Sequence, residues 1–273
     1  MFIEKSRLMT MILPTAEIVC LGNELLIGVT VNTNGTFMGE KLTQLGYEVR
    51  RITCIRDDLE LASAFFKEAF LRKPDVIVVS GGLGPTYDDI QMEVLGAALA
   101  VPLIENNQAL QQLETYYERR NLGLTKERRK MALFPEGATI LSNSVGGAPG
   151  CHIEHEGMDI FSVPGVPPEM KDILLNHIIP ILRAKVDNNL YELKFQLLNC
   201  IESELAPHIQ TVKTYYPDLY IKSHPANKAK GGIVIHISGY GETAEKSVSK
   251  ARKELQVLFK KEKPSIEIKE IKE

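Results

Sequence analysis

Short unbroken runs of aliphatic and β-branched residues recur along the first two thirds of the chain, each followed by apolar residues at helical spacing. The runs at 16–21, 47–55 and 76–80 read as strands, the last buried on both faces as in a parallel sheet. Between them, Phe37, Met38, Leu42 and Leu45 predict a helix over 36–45 that stops at Gly46. A second helix, capped by Asp57 or Asp58, carries Leu61, Phe65 and Ala69 on one stripe with Phe66 and Phe70 beside it. A third starts near Asp88, with Ile90, Val94 and Leu95 inward, and runs to Ala100. Strand and helix alternate with short connections, which predicts a right-handed, helix-covered parallel sheet.

The pattern then changes. Helix is expected over 107–120 and again from 125, where Lys126, Arg128, Arg129 and Lys130 cluster. Such a run is a solvated face or, in the sharper reading, a reach toward a substrate phosphate. Strands at 138–141 and 150–155 flank the glycine-rich 143–150 loop, and a strand at 158–163 leads into a helix over 169–182. That helix buries Met170, Ile173, Leu174, His177, Ile178 and Ile181, so His177 reads as a core histidine, and Pro180 is expected to kink or end it. His152 and His155, three apart on a strand, face opposite sides and make poor metal partners.

Beyond a polar linker at 185–189 the order becomes strand 191–199, helix 202–214, strands 219–223 and 233–238 and helix 242–260, followed by a stretch at 265–271 that suits an edge strand or disorder equally. That is the ferredoxin-like order. The final helix is expected to bury Ala244, Val248, Ala251, Leu255 and Leu258. The expected fold is therefore α/β, a doubly wound, mostly parallel sheet over 16–184, with a smaller α+β domain over 190–273 and a loose N-terminus at 1–15.

Composition changes this picture little. With 273 residues, 44% hydrophobic and 25% charged, the chain is ordinary for a globular protein. A net charge of −3 and a pI near 6.1 give no basic signal that would demand nucleic acid. Four cysteines without a CxxC pair predict free thiols of a reducing compartment and no zinc site. No apolar run reaches membrane-spanning length. The run at 8–13 after Lys5 and Arg7 echoes a signal peptide but is short and has no cleavage site, so a cytoplasmic protein is expected.

The chemistry gathers at Gly81-Gly82-Leu83-Gly84-Pro85-Thr86-Tyr87-Asp88-Asp89, directly after the strand that ends at Ser80. Three glycines in four positions allow positive φ and close backbone approach to a ligand, and the following helix start favours anions. Two adjacent carboxylates at the same mouth would repel a phosphate unless a cation lay between. The loop therefore reads as a site for phosphate plus a divalent metal. The bland alternative is that Asp88 or Asp89 caps the helix. Gly22-Asn23-Glu24 and Pro164-Gly165-Val166-Pro167 with Glu169 also follow strand ends. If those strands run parallel, all three loops share the edge where doubly wound sheets bind ligands. Glu24, Asp88 and Asp89 then form an acidic cluster whose oxygens suit Mg²⁺ or Mn²⁺.

These segments, with Asn32-Thr33-Asn34 and the loop from Asn143 to Gly150, resemble the N-terminal domain of the CinA (competence/damage-inducible) proteins, within the molybdopterin-binding MoaB/Mog superfamily. The resemblance spans roughly 16–183, and 190–260 looks like the small KH-type domain that follows. The amidase domain of full-length members has no counterpart up to Glu273, so deamidase activity is not expected. The resemblance implies a metal-dependent pyrophosphatase acting on ADP-ribose or a related dinucleotide such as FAD. Glu24, Asp88 and Asp89 would be the metal or acid–base carboxylates, with Mg²⁺, Mn²⁺ or Co²⁺, and K⁺ as a further cation to be tried. Gly81, Gly82 and Gly84 would cradle phosphate together with Thr86. Gly22, Asn23, Asn34, Ser80, Leu83, Pro85, Asn143, Gly147 and Pro164, Gly165, Val166, Pro167 and Glu169 would line the substrate site. The chain departs from relatives at Ile90-Gln91, where Leu-Thr is common, and at Gly147, where Thr is usual. Both are read as rim positions that bear on substrate identity.

Two other functions compete. The same cradle serves adenylyl or molybdate chemistry on molybdopterin, or binding without hydrolysis. A non-catalytic module contacting RNA is the third, but the GxxG loop a KH domain needs is missing: Gly231-Gly232 lies between strands and Gly239-Tyr240-Gly241 does not match. Lys222, Lys228 and Lys230 make only a modest basic patch. Apolar edges in the small domain predict a homo-oligomer.

Overall fold

A computed structural model describes residues 13–187, 190–226 and 231–271. It divides into two compact units, one of Leu13–Val186 and one from Asp187 onward. Most of the expected N-terminal tail, together with Lys228 and Lys230, lies outside the described residues.

In the first unit, β1 (Thr15–Leu21), β2 (Glu48–Ile55), β3 (Val76–Ser80) and β8 (Met158–Val163) run parallel. β7 (Gly150–His155) and β6 (Thr139–Leu141) extend the sheet antiparallel, giving the order β2-β1-β3-β8-β7-β6. Successive side chains of a strand point to opposite faces, and here both faces are covered. Val19, Leu21, Ile77 and Val79 meet α3 (Leu59–Arg72), α4 (Gln91–Leu99) and α5 (Asn107–Glu118) on one side. Ile18, Cys20, Val76 and Val78 meet α2 (Thr33–Leu45) and α7 (Pro167–Ile173) on the other. Each fully buried aliphatic side chain contributes roughly 2 kcal/mol, which is why β3 carries no polar residue before Ser80. The four cysteines are all free, two of them buried.

Local signals fix the helix ends. The Asn32 side chain accepts from Gly35 N–H at the start of α2, and Gly46 closes it in the left-handed region at φ 98°. Asp58, not Asp57, caps α3 by accepting from Leu61 N–H at 2.9 Å. Asp58→Ala should cost about 1 kcal/mol, read as a shift in the chemical-denaturation midpoint at unchanged slope. The buried stripe of α3 is Ala62, Phe66, Ala69 and Phe70, whereas Leu61 faces solvent; the expected stripe is thus turned toward the phenylalanines. Pro180 does not end its helix. Leu174–Ile178 widens into a π turn, Ile179 N–H reaches back to Leu174, and α8 (Ile179–Arg183) continues. Because proline has no N–H to offer, the widened turn places the irregularity just ahead of it.

Two short strands, β4 (Leu103–Glu105) and β5 (Leu133–Pro135), pair beside the sheet, and α6 (Lys126–Lys130) precedes β5. α1 (Asn23–Leu26) is a single turn. In the second unit, β9 (Leu190–Leu198), β10 (Tyr220–Pro225), β11 (Ile233–Tyr240) and β12 (Glu267–Glu270) form an antiparallel sheet in the order β10-β11-β9-β12. With α9 (Glu202–Tyr215) and α10 (Ala244–Glu262) this is the ferredoxin-like arrangement. Phe259 rather than Leu258 completes the buried stripe of α10. Among the described residues, no helix is long and apolar enough to cross a membrane.

Candidate functional site

The parallel pairing aligns Cys20 with Ser80 and Ser80 with Val163, so β1, β3 and β8 end together and their loops open on one edge. A cleft of about 450 Å³ lies there, lined by Gly22, Glu24, the whole run Gly81 to Thr86, Asp88, Asp89, Gly147, Pro164 to Val166 and Glu169. The remaining expected residues stand close by. Asn34, Ser80 and Pro167 line a smaller adjoining pocket, and Asn143 lines a second cleft. Asn23 contributes only its backbone N–H, donated to Asp57 at 2.9 Å.

The glycine loop is held from below. Gly81 and Gly82 take φ of 102° and 74°, a region open to glycine, and a Cβ on Gly81 would lie 2.1 Å from the Leu21 carbonyl oxygen. Gln91 is not at the rim: it is fully buried, and its amide donates to the Gly81 carbonyl at 2.6 Å. Asn34 donates to Ser80 Oγ at 2.9 Å and to the Gly165 carbonyl at 2.8 Å, tying the ends of β3 and β8. Among the described residues the N–H groups of Gly82, Leu83 and Gly84 have no protein partner, so this row of donors on a cleft-lining loop is available to an anion.

The acids Asp88 and Asp89 stand beside this loop. Asp88 and Asp89 do not cap α4, whose N-cap Ile90 has no side-chain cap bond. They fold instead onto Thr86: its hydroxyl contacts Asp88 and Asp89, and its N–H donates to Asp89 at 2.8 Å. The Thr86 hydrogen bond holds the Asp88 carboxyl below its ordinary range. A Cβ on Gly84 would sit 2.4 Å from Asp89 Oδ2, one on Gly22 2.4 Å from Glu24 Oε1, and one on Gly146 2.1 Å from the Glu169 carboxyl carbon. Each of these glycines vacates the space its carboxylate fills.

Asp57 was expected only as a possible helix cap, yet it lines the cleft. Burial pushes its carboxyl up, the Asn23 N–H opposes this, and the charges of Glu24, Asp88 and Asp89 push it further up. Asp57 thus feels the three acids of the other loops, while the Lys130 charge acts on Asp88 from the far side of its loop. Burial also raises Glu169, against a 2.6 Å hydrogen bond from Asn143. A raised folded-state pKa means that the folded chain binds more protons than the unfolded one, so stability is lost as pH rises from the ordinary carboxylate value through the raised one. Asp57→Asn should therefore be at least as heat-stable as the parent at pH 7 without metal, the difference closing once pH falls below the carboxylate range. Thermal melts across pH check this.

The basic cluster does not reach into the cleft. Arg129 is paired with Glu105 at 2.5 Å, and Arg128 lies 4.4 Å over the Tyr117 ring. Lys130 clamps the loop from outside, donating to the Asp89 carbonyl at 2.6 Å and pairing with Glu93 at 3.2 Å. His177 is half-buried and faces the second cleft rather than the core. Tyr116, Tyr117 and Met131 complete the first cleft; on α5 and after α6, they carry no motif that sequence reasoning could have caught.

The fit of a metal follows from the donors. Glu24, Asp88 and Asp89 are not gathered within ligand distance of one another; among the described residues the grouping whose ligand atoms lie within 4.8 Å is His152, Glu154 and Asp159. There Lys185 Nζ already sits 2.7 Å from both Asp159 oxygens, so that group is an ion network. In the cleft, the Asp88–Asp89 pair supplies hard oxygen donors of the kind Mg²⁺ uses, one or two carboxylates completed by substrate phosphate. The pair fits such an ion, and Glu24 stands across the cleft as a separate acid.

Comparison with known proteins agrees with this architecture. Residues 17–184 match the family model described as a probable molybdopterin binding domain. A protein of Saccharolobus islandicus is 44% identical over 250 residues, covering 90% of this chain and 95% of its own length. One from Sulfolobus acidocaldarius is 42% identical over 231 residues, covering 85% and 87%. Among solved structures, the protein CinA, of unknown function, from Thermoplasma acidophilum is 38% identical with a TM-score of 0.57, covering 61% of this chain and 98% of that one.

Proposed function

Because the chain belongs to the family of probable molybdopterin-binding domains, and is CinA-like within it, we propose that it is a metal-dependent pyrophosphatase cleaving the phosphoanhydride of ADP-ribose or a related dinucleotide such as FAD. The observation that carries the reading is the presence at one cleft of three unpaired backbone N–H groups and an adjacent pair of aspartates. Phosphate is drawn by the first and repelled by the second, and a divalent cation between them would relieve that repulsion.

In this reading Asp88 and Asp89 hold a divalent ion, which when bound neutralises phosphate charge and acidifies water. The N–H groups of Gly82, Leu83 and Gly84 bind and orient the diphosphate. Asp57 and Glu169, whose carboxyls are raised by burial, are suited to take a proton from the attacking water. Water adds to one phosphorus, the bridging P–O bond breaks, and ADP-ribose yields AMP and ribose 5-phosphate. The test is AMP release from ADP-ribose, FAD and NAD with Mg²⁺, Mn²⁺ or Co²⁺, with and without K⁺. Metal-dependent release supports the reading, and silence from folded protein in every condition sinks it.

A second reading, molybdopterin binding without hydrolysis, is supported by the family match and by Tyr116, Tyr117 and Met131, which give the cleft an aromatic side suited to a pterin. Calorimetric titration with molybdopterin separates the two. A cytoplasmic homo-oligomer belongs to the same proposal; Ile27, Val29 and Val31, each more than 70% exposed beside the cleft, support self-association, and light scattering of the purified chain tests it.

A further inference from the structure

A second cleft of about 750 Å³ adjoins the first, with Tyr116 as common wall. The two differ sharply in charge. The first is lined by Glu24, Asp57, Asp88, Asp89 and Glu169 and by no lysine or arginine. The second carries Arg119 and Arg120, and its one acid, Asp172, is consumed by Ser144 N–H and Oγ and by Asn176, all at 2.8 Å.

Between them stands a prebuilt stack. The Tyr116 ring packs on the backbone of Gly147, where a Cβ would lie 2.9 Å from the ring. The Arg120 guanidinium lies over that ring, 3.6 Å from its centroid, and donates to the Tyr116 carbonyl at 3.1 Å. Gln112 ties α5 to the same loop, accepting from Asn143 N–H at 3.2 Å and contacting the Gly147 carbonyl at 3.4 Å. A side chain at 147 would displace the ring from this position. The upper face of the stack is a fixed, exposed guanidinium plane. Gln108, Gln111 and Arg119, which line the same cleft, have no side-chain partner among the described residues.

We infer that the second cleft is the subsite for the base of a nucleotide, stacked on the Arg120 guanidinium with its edges read by Gln108 and Gln111, while the diphosphate lies on the glycine loop of the first cleft. A planar base offers a π face to a guanidinium plane and donors and acceptors at its edge, which is the complement of what this wall presents. The inference rests on the phosphate reading of the first cleft and adds which part of the substrate the protein recognises.

The test uses two non-hydrolysable ligands titrated calorimetrically with Mg²⁺: methylenediphosphonate, and α,β-methylene-ADP, which adds a nucleoside to the same bridge. The parent protein should bind the nucleotide at least about tenfold more tightly than the diphosphonate. Arg120→Ala should remove that advantage and leave the diphosphonate affinity unchanged, and Arg120→Lys, which keeps the charge without the plane, should not restore it. Equal affinities in the parent, equal weakening of both ligands by Arg120→Ala, or full rescue by lysine would each overturn the base subsite while leaving the phosphate reading in place. Failure of both ligands to bind would overturn the two together.

Discussion

Replacing Asp88 and Asp89 together by asparagine removes metal-dependent cleavage, by about a thousandfold or more, and leaves the fold intact. The size follows from what a bound divalent ion supplies, several kcal/mol of charge stabilisation in the transition state, at 1.36 kcal/mol per factor of ten. The intact fold follows from position. Neither residue caps α4 and Asp88 is exposed, while asparagine keeps the oxygen that accepts from Thr86 N–H. Surface changes of this kind cost within about 0.5 kcal/mol. Turnover of ADP-ribose and the far-ultraviolet circular dichroism of the double variant are the two measurements. Loss of both signals would mean that the pair holds the loop rather than the ion, and full turnover would end the assignment.

The second large effect is structural. Gly81→Ala is expected to lower stability by roughly 3 kcal/mol, because it adds left-handed strain of 1–3 kcal/mol to a contact that cannot relax. The group it meets, the Leu21 carbonyl 2.1 Å away, is backbone of the neighbouring strand and not a side chain that can swing aside. In a unit of this size the melting temperature should fall by about 10 °C. The row of N–H groups would turn with the peptide, so phosphate affinity should fall as well. Gly123→Ala, with open space around the position, is the control that should change neither.

The sequence made the sheet legible because β3 is buried on both sides and unbroken by a polar residue before Ser80, and β1 is apolar from Ile18 to Leu21, a pattern that depends only on residue type. Loop chemistry was legible for the same reason: three glycines before two aspartates can be seen without knowing what lies across the cleft. What was hidden depended on partners distant in the chain. Asp57 and Asp58 look equivalent as caps, and only the approach of the Asn23 N–H and of the other acids draws Asp57 into the site. Gln91 looked like rim because it follows the loop, yet the chain doubles back so that its amide supports Gly81. Tyr116 sits on a helix with ordinary amphipathic spacing, and its neighbour Gly147 is 31 residues away. Pro180 carried a local rule that a π turn sidesteps.

Gly22 with Glu24, Gly84 with Asp89 and Gly146 with Glu169 share one arrangement, an acid lying where its neighbour's Cβ would be. In evolutionary terms the members of each couple cannot drift separately. A side chain at 84 would push the Asp89 carboxylate out of its place, and a lineage that has given up the acid at 89 has no such reason to keep the glycine. The dependence runs one way: a side chain at the glycine disturbs the acid, whereas the acid can be lost with the glycine in place. Decay of the chemistry should therefore leave a recognisable trail, with the acids going first and the glycines only afterwards.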